Sequence, residues 1–252
     1  MNIALILSGG TGTRMGVDVP KQYMEVAGRP IFTYCVESLL SHDRIDAVQI
    51  VADPLWQKEI LGWYRRRTAQ KAGVDADREA GQGRETDNIL WEKKFRGFSA
   101  PGETRQLSIY HGLEDIMEYA DDTDYVFIHD AARPLLSAEI IADCLDGALD
   151  HDGAMPVLPM KDTVYYSRSG NVVDRLLDRS TIYAGQAPEV FLLGRYYEAN
   201  RSLLPDRIWE INGSTEPAVL AGMDIAMIPG DEKNFKITTM ADLERFRSII
   251  DK

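Results

Sequence analysis

Between Gly9 and Gly16 the chain places four glycines, Gly9, Gly10, Gly12 and Gly16, directly after the apolar stretch Ile3 to Leu7. The same loop carries Arg14, and Lys21 follows seven residues later in Pro20-Lys21-Gln22. Glycine lets backbone N–H groups come close to a polyphosphate and adopts positive φ where needed. The two cations would neutralise the phosphate charge that backbone amides leave uncompensated. The chemistry indicated is the binding of a nucleoside triphosphate. A dinucleotide fingerprint in the Gly10-x-Gly12 register would need glycine at position 15, where Met15 stands, and the chain has no Gly-Lys-Ser/Thr ending of a Walker loop. A glycine-rich turn without a ligand would have no packing use for Arg14, Pro20 and Lys21.

These residues need a scaffold, and the chain alternates strand and helix patterns. Strands are predicted at 2–7, 46–52, 124–129, 153–158 and 225–228, and helices near 30–41, 55–68, 104–119, 137–150, 192–200 and 240–250. Such alternation predicts an α/β fold with a doubly wound, mostly parallel sheet. Ligands on such sheets bind beyond the carboxyl ends of the strands, where Ser8 and Asp130 emerge. With 252 residues, 44% of them hydrophobic, the chain can bury one substantial core, and we expect a single domain over 1–252. Residues 70–98 interrupt the pattern and read as an inserted polar excursion carrying Trp91, Phe95 and Phe98. The net charge of −12 argues against a nucleic-acid partner and gives each cation of the motifs added weight. No apolar run reaches the ~20 residues of a membrane span, and no leader precedes Met1, so a cytoplasmic enzyme is expected. Cys35 and Cys144 read as small core residues.

Five blocks, in order, carry a resemblance. They are Gly9-Gly10-Thr11-Gly12-Thr13-Arg14-Met15-Gly16 with Pro20-Lys21-Gln22, Pro101 to Ser108, His129-Asp130-Ala131-Ala132-Arg133-Pro134, Gly185 to Phe191, and Asn234-Phe235-Lys236-Ile237-Thr238-Thr239. The chain resembles, over nearly its whole length, the cytidylyltransferases that act on methylerythritol phosphate or ribitol phosphate. The resemblance implies a Rossmann-like sheet of the nucleotide-diphospho-sugar transferase type, with CTP and a polyol phosphate as substrates and a CDP-polyol and pyrophosphate as products. It implies nucleotide contacts from Ser8, Gly9, Gly10, Thr11, Gly12, Gly102, Glu103, Arg105, Ser108 and Ala131. Main-chain groups among these would enclose cytosine. A sugar 1-phosphate uridylyl- or guanylyltransferase shares the first loop, and a non-catalytic nucleotide-binding homologue is a further alternative.

Nucleotidyl transfer needs positioning and cations more than covalent help. Arg14 and Lys21 would hold the leaving phosphates, and Lys236 would add a cation at the α-phosphate. Asp130, ending an apolar strand, is the candidate carboxylate for Mg²⁺ and for the acceptor. Asp231 and Glu232 could assist the metal. His129 should point to the opposite face of the strand, as a core residue, and Arg133 reads as a structural ion-pair partner.

On the acceptor side the chain departs from the methylerythritol phosphate enzymes. They carry Gln-Thr-Pro-Gln where it has Gln186-Ala187-Pro188-Glu189, and Thr-Asp-Glu-Ala-Ser where it has Asn212-Gly213-Ser214-Thr215-Glu216. Asp162-Thr163 keeps the family's Asp-Thr, which assigns Thr163 to the acceptor site. Tyr183-Ala184-Gly185-Gln186 is closer to the ribitol phosphate branch. Residues 163–167 and 172–177 read as a β-hairpin around Arg168-Ser169-Gly170-Asn171, within an arm over about 163–179. In the resembled family such an arm reaches into the other subunit of a homodimer, and the arginine it presents there aligns with Arg179.

Overall fold

Residues 1–10, 19–72 and 90–251 are described in the structure, a computed structural model. The strands in chain order are β1 (Asn2–Leu7), β2 (Glu25–Val26), β3 (Arg29–Pro30), β4 (Ala47–Val51), β5 (Phe95–Ser99) and β6 (Tyr125–Asp130). They continue as β7 (Gly153–Pro159), β8 (Val164–Tyr166), β9 (Arg175–Leu177), β10 (Tyr183–Gly185), β11 (Glu189–Leu192) and β12 (Ile225–Pro229). One sheet runs β10-β7-β11-β6-β1-β4-β5, with β12 also paired to β7.

The block β5-β4-β1-β6 is parallel, as is β12 with β7. The sheet is nonetheless mixed, because β11 pairs antiparallel with both β6 and β7, and β10 antiparallel with β7. Sequence reading missed both inserted strands: β10 is three residues long and β11 four, too short for an alternating pattern to show.

β1 is buried from Ile3 to Ile6 and sits centrally. Its alternate residues face two separate layers. Ile3 and Leu5 pack with Ile109, Leu113 and Ile116, and Ala4 and Ile6 pack with Phe32, Cys35 and Val36. Burial on both faces is why this strand reads as a continuous apolar run. The spacing of Ile109, Leu113 and Ile116 places them on one face of the helix Arg105–Met117, the face that meets the sheet. Gly112 allows the close approach, since a Cβ there would fall 2.5 Å from a methyl of Leu5. Cys35 and Cys144 are free and buried, in the core role expected.

Helices Phe32–Ser41, Pro54–Ala72, Arg105–Met117, Ala138–Gly147, Leu193–Arg201 and Met240–Ile250 lie where the sequence predicts them, to within a turn. No helix among the described residues is long and apolar enough to cross a membrane. The expectation for 70–98 needs correction at both ends, since residues 70–72 still belong to the helix Pro54–Ala72. Residues 90–94 are helical and Phe95–Ser99 is β5, the edge strand of the main sheet. Trp91 is buried and stacked between Tyr64 and Phe95, with centroid separations of 3.8 and 4.1 Å. The polar composition around these aromatics masks a segment that covers one side of the core. Residues 73–89, the rest of that excursion, lie outside the described residues.

Val164–Tyr166 and Arg175–Leu177 pair antiparallel apart from the main sheet, as the arm expected. The paired residues are fewer than the sequence suggests. The strand predicted over 172–177 starts only at Arg175, because Asp174 closes the tip instead, accepting from Arg168 N at 2.6 Å.

Replacing Trp91 by alanine removes the centre of the three-ring stack. The expected loss is about 3–5 kcal/mol of unfolding free energy in urea titration, the range for a large aromatic deleted from a core. A loss under about 1 kcal/mol would show that residues 90–99 are not part of the cooperative unit.

Candidate active site

The register of the parallel strands aligns their carboxyl ends. Leu7 lies opposite Val51 on one side and Asp130 on the other, and Val51 lies opposite Ser99. The chain leaves the sheet just beyond this row at Ser8, Ala52, Ala100 and Ala131, and a cleft of about 620 Å³ opens there. Its walls include Gly9, Gly10, Lys21, Gly102, Arg105, Asp130 and Lys236.

The glycine loop is held by side chains that follow it. Gln22 Nε2 donates to Ser8 O at 2.8 Å and to Gly10 O at 2.7 Å. Tyr23 OH donates to Ser8 O at 2.9 Å and accepts from Ser8 Oγ at 2.8 Å. Ser8 is therefore an anchor below the cleft, not part of its wall. Gly9 is required by close approach, because a Cβ there would stand 2.6 Å from Pro101 Cβ. Pro101 and Gly102 form the facing loop, which Ser108 closes by accepting from Gly102 N at 3.0 Å and donating to Thr104 O at 2.9 Å. Thr104 caps the helix Arg105–Met117, whose N-terminus thus opens on the cleft and favours anions.

Asp130 gathers the cations. Arg105 Nε and NH2 each lie 3.2 Å from Oδ1, Lys236 Nζ lies 2.9 Å from Oδ2, and Arg133 Nε lies 3.6 Å from Oδ2. Burial alone would raise the Asp130 pKa, but Arg105 and Lys236 outweigh it and hold the carboxyl far below the usual range. Lys236 arrives on a segment pinned to the sheet. Ile237 N donates to Ala132 O at 2.8 Å, Arg133 NH1 to Asn234 O at 2.7 Å, and the buried Asn234 donates through Nδ2 to Ala187 O at 2.7 Å.

A glycine-cradled, cation-lined cleft at the carboxyl ends of parallel strands suits a nucleotide triphosphate, and comparison with known proteins narrows the class. Residues 2–62 and 82–252 match the family model of 2-C-methyl-D-erythritol 4-phosphate cytidylyltransferase, IspD. The chain belongs to this family. A ribitol-5-phosphate cytidylyltransferase of Vibrio parahaemolyticus serotype O3:K6 is 31% identical over all of this chain and 96% of the relative. A bifunctional IspD/IspF enzyme of Granulibacter bethesdensis is 30% identical over 96% of this chain, which spans 54% of that longer protein. Among solved structures, 4-diphosphocytidyl-2C-methyl-D-erythritol synthase of Anaerococcus prevotii superposes with a TM-score of 0.75 at 19% identity, covering 100% of this chain and 96% of that one. The corresponding Francisella tularensis cytidylyltransferase gives 0.73 at 21%, covering 98% of each. At such identities the structures speak for the fold, and the family match carries the class: the protein is a cytidylyltransferase, an enzyme of nucleotidyl transfer.

Of the residues assigned to this IspD-family site from sequence, the structure gathers Gly9, Gly10, Lys21, Gly102, Glu103, Arg105, Ser108, Asp130 and Lys236 at one cleft. Arg14, Thr11 and Gly12 lie outside the described residues. Ala131 is buried with its N–H donating to Leu7 O at 3.1 Å, and the wall holds Ala132 beside it. Thr163 and Arg179 are exposed and away from the cleft of their own chain, Arg179 NH1 donating to Lys161 O at 2.7 Å. Arg133 is the ion-pair residue expected. Glu232 is exposed and paired with Lys161. Sequence reading missed Asp53 and Thr238 in the wall. It also missed the clamping role of Gln22, although the Lys-Gln pair after Pro20 had already marked the position.

His129 is fully buried on the face opposite Asp130, with Nε2 donating to Arg133 O at 3.1 Å. Nδ1 is buried and has no hydrogen-bond partner among the described residues. Burial pushes the imidazole down to about 4 from 6.5, outweighing the pull of Asp130. A proton is therefore taken up by the unfolded chain below pH ~6.5 but not by the folded one until about pH 4. Stability should be fully present above pH ~6.5 and fall toward pH 4, by as much as ~3 kcal/mol at ~1.36 kcal/mol per unit. Urea unfolding at pH 7, 5.5 and 4.5 should show a shallower fall for His129→Gln than for wild type. Equal slopes would remove His129 from the acid response.

Proposed function

We propose that the protein transfers the CMP moiety of CTP to a polyol phosphate, with ribitol 5-phosphate preferred to 2-C-methyl-D-erythritol 4-phosphate, and that it works in the cytoplasm as a homodimer. The observation that carries the reading is the meeting of Gly9, Gly10, Lys21, Arg105, Asp130 and Lys236 at one cleft. The preference for ribitol 5-phosphate rests on relatives of that name over the full chain, from Vibrio parahaemolyticus and Streptococcus agalactiae, and on the Tyr183-Ala184-Gly185-Gln186 segment.

An acceptor phosphate oxygen attacks the α-phosphorus of CTP in line. The new O–P bond forms as the bond to the β-phosphate oxygen breaks, and pyrophosphate leaves with the electron pair. Gly9, Gly10 and the N-terminus of Arg105–Met117 present backbone amides to the anion. Lys21 and Arg14 hold the departing phosphates, and Lys236 stands at the α-phosphate, where charge gathers in the transition state. Asp130 stands where the acceptor sits, and Arg105, assigned to the nucleotide, pairs with it from the neighbouring wall.

Mg²⁺ belongs to the proposal as a companion of the triphosphate. The described residues hold no cluster of three or more metal-ligating side chains. Asp130, the candidate protein ligand, has Oδ1 on Arg105 and Oδ2 on Lys236, so a Mg²⁺ ion would be held mostly by phosphate oxygens and would reach Asp130 in exchange for one of these cations. When bound it would neutralise charge on the departing pyrophosphate.

The arm supports the dimer. Tyr165, Tyr166, Val172, Val173 and Leu176 are exposed on it, and its short strands cannot form a core alone. A two-fold copy would cover both arms at once and could bring Arg179 and Thr163 to the cleft of the other subunit.

With CTP and Mg²⁺, pyrophosphate release should require a polyol phosphate, fastest with ribitol 5-phosphate, and should stop in chelator. Lys21→Ala, Arg14→Ala and Lys236→Ala should each lower kcat by ~10²-fold or more, the loss typical of one transition-state donor. An effect confined to KM would contradict the assigned roles. For the dimer, inactive Lys21→Ala and Arg179→Ala subunits are mixed after dissociation and reassociation. Recovery toward half of wild-type activity per heterodimer is expected, since one of its two sites then has both residues intact. No recovery despite subunit exchange would place Arg179 outside the partner's site.

A further inference from the structure

A second buried carboxylate lies against Arg105, outside the cleft wall, and no step above uses it. Glu189 opens β11 opposite Ile128, two residues before Asp130, so the pleat puts both carboxylates on one face of the sheet. Its side chain is 12% exposed, and Oε2 lies 4.0 Å from Arg105 NH2. Ser214 Oγ donates to the same Oε2, and Thr215 Oγ1 donates to Oε1 at 3.2 Å. The loop that supplies these hydroxyls is itself fixed, because the buried Tyr196 donates through its OH to Ser214 O at 2.7 Å.

Arg105 is thus gripped by two carboxylates, Asp130 at Nε and NH2 and Glu189 at NH2. Its NH1 is neither buried nor hydrogen-bonded among the described residues, while the side chain lines the cleft. Nε and NH2 both donate to one oxygen, Asp130 Oδ1, and the charge of Glu189 4.0 Å from NH2 opposes rotation of the guanidinium about that oxygen, which sets the direction of its free edge. Positions 189 and 214 are also two at which this chain departs from its family's pattern. Where the methylerythritol phosphate enzymes carry glutamine and glutamate, this chain has Glu189 and Ser214.

We propose that Glu189, seated by Ser214 and Thr215, is a positioning residue that locks the Arg105 guanidinium so that its free edge meets the phosphate of the acceptor. The inference rests on the reading of the cleft as a polyol phosphate cytidylyltransferase site. Loss of the lock costs acceptor use more than CTP binding, because Lys21, Gly9 and Gly10 hold the nucleotide without it.

The test uses the full-length protein, with pyrophosphate release for turnover, calorimetry for CTP affinity and circular dichroism for folding. Glu189→Gln, close in shape but uncharged, should lower kcat/KM for ribitol 5-phosphate about tenfold while the Kd for CTP changes less than about twofold. Adding Ser214→Glu to it returns a carboxylate from the other wall and should restore kcat/KM to within about threefold. In an Arg105→Ala background, Glu189→Gln should have no further effect, since a residue acting through another is non-additive with it. Ser214→Ala should cause a smaller fall in the same parameter, and it serves as the test if Glu189→Gln does not fold. Wild-type kinetics for Glu189→Gln, or effects that multiply with Arg105→Ala, would overturn the proposal while leaving the enzyme's function standing. If wild type itself releases no pyrophosphate with any acceptor, the functional reading falls and takes this inference with it.

Discussion

The carboxylate of Asp130 organises this molecule. A buried charge is tolerated only when paired and hydrogen-bonded, and Asp130 finds its partners in Arg133, three residues on, and on two segments distant in the chain, Arg105 at a helix start and Lys236 before the last helix. Each partner brings its own segment to the cleft. The cations an anionic substrate needs are held in place before it arrives by an anion belonging to the protein. This is preorganisation: like charges that would repel one another are kept together by a shared counter-ion, in a protein whose overall charge is negative.

The loops around Asp130 follow the same economy. Gln22 satisfies two carbonyls of the glycine loop, Ser108 and Thr104 hold the facing loop, and Asn234 ties the Lys236 segment to the chain before the cis Ala187-Pro188 bond. Backbone groups that leave the sheet at its edge would otherwise be unpaired near the core. Because polar side chains accept this task, these loops are held in place around a cleft that stays open to a ligand.

Much of this was legible in the sequence because it is written in residue types with few substitutes. Only glycine fits where Pro101 and Leu107 crowd the loops at Gly9 and Gly102, and lysine and arginine beside such loops have a restricted set of uses. Long helices and the central strands carry their own periodicity. What was not legible depends on partners distant in sequence. β5 lies in a polar stretch and is a strand because β4 offers it an edge, and Arg105 turns to Asp130 because β6 ends beside its helix. β10 and β11 are too short to announce themselves, and the contact between Glu189 and Ser214 joins residues twenty-five apart.

β1 comes first in the chain but lies between β4 and β6 in the sheet, and the cleft beyond it is completed only by Lys236 and Thr238. During synthesis, β1 has to wait for residues 125–130 before both its edges are paired, and the cleft is complete only once Lys236 and Thr238 have emerged. Long-range pairing of this kind slows folding. It also spreads the stabilisation a nucleotide confers over the parallel sheet instead of one lobe, since ligand that binds only the completed cleft stabilises every strand whose end forms it.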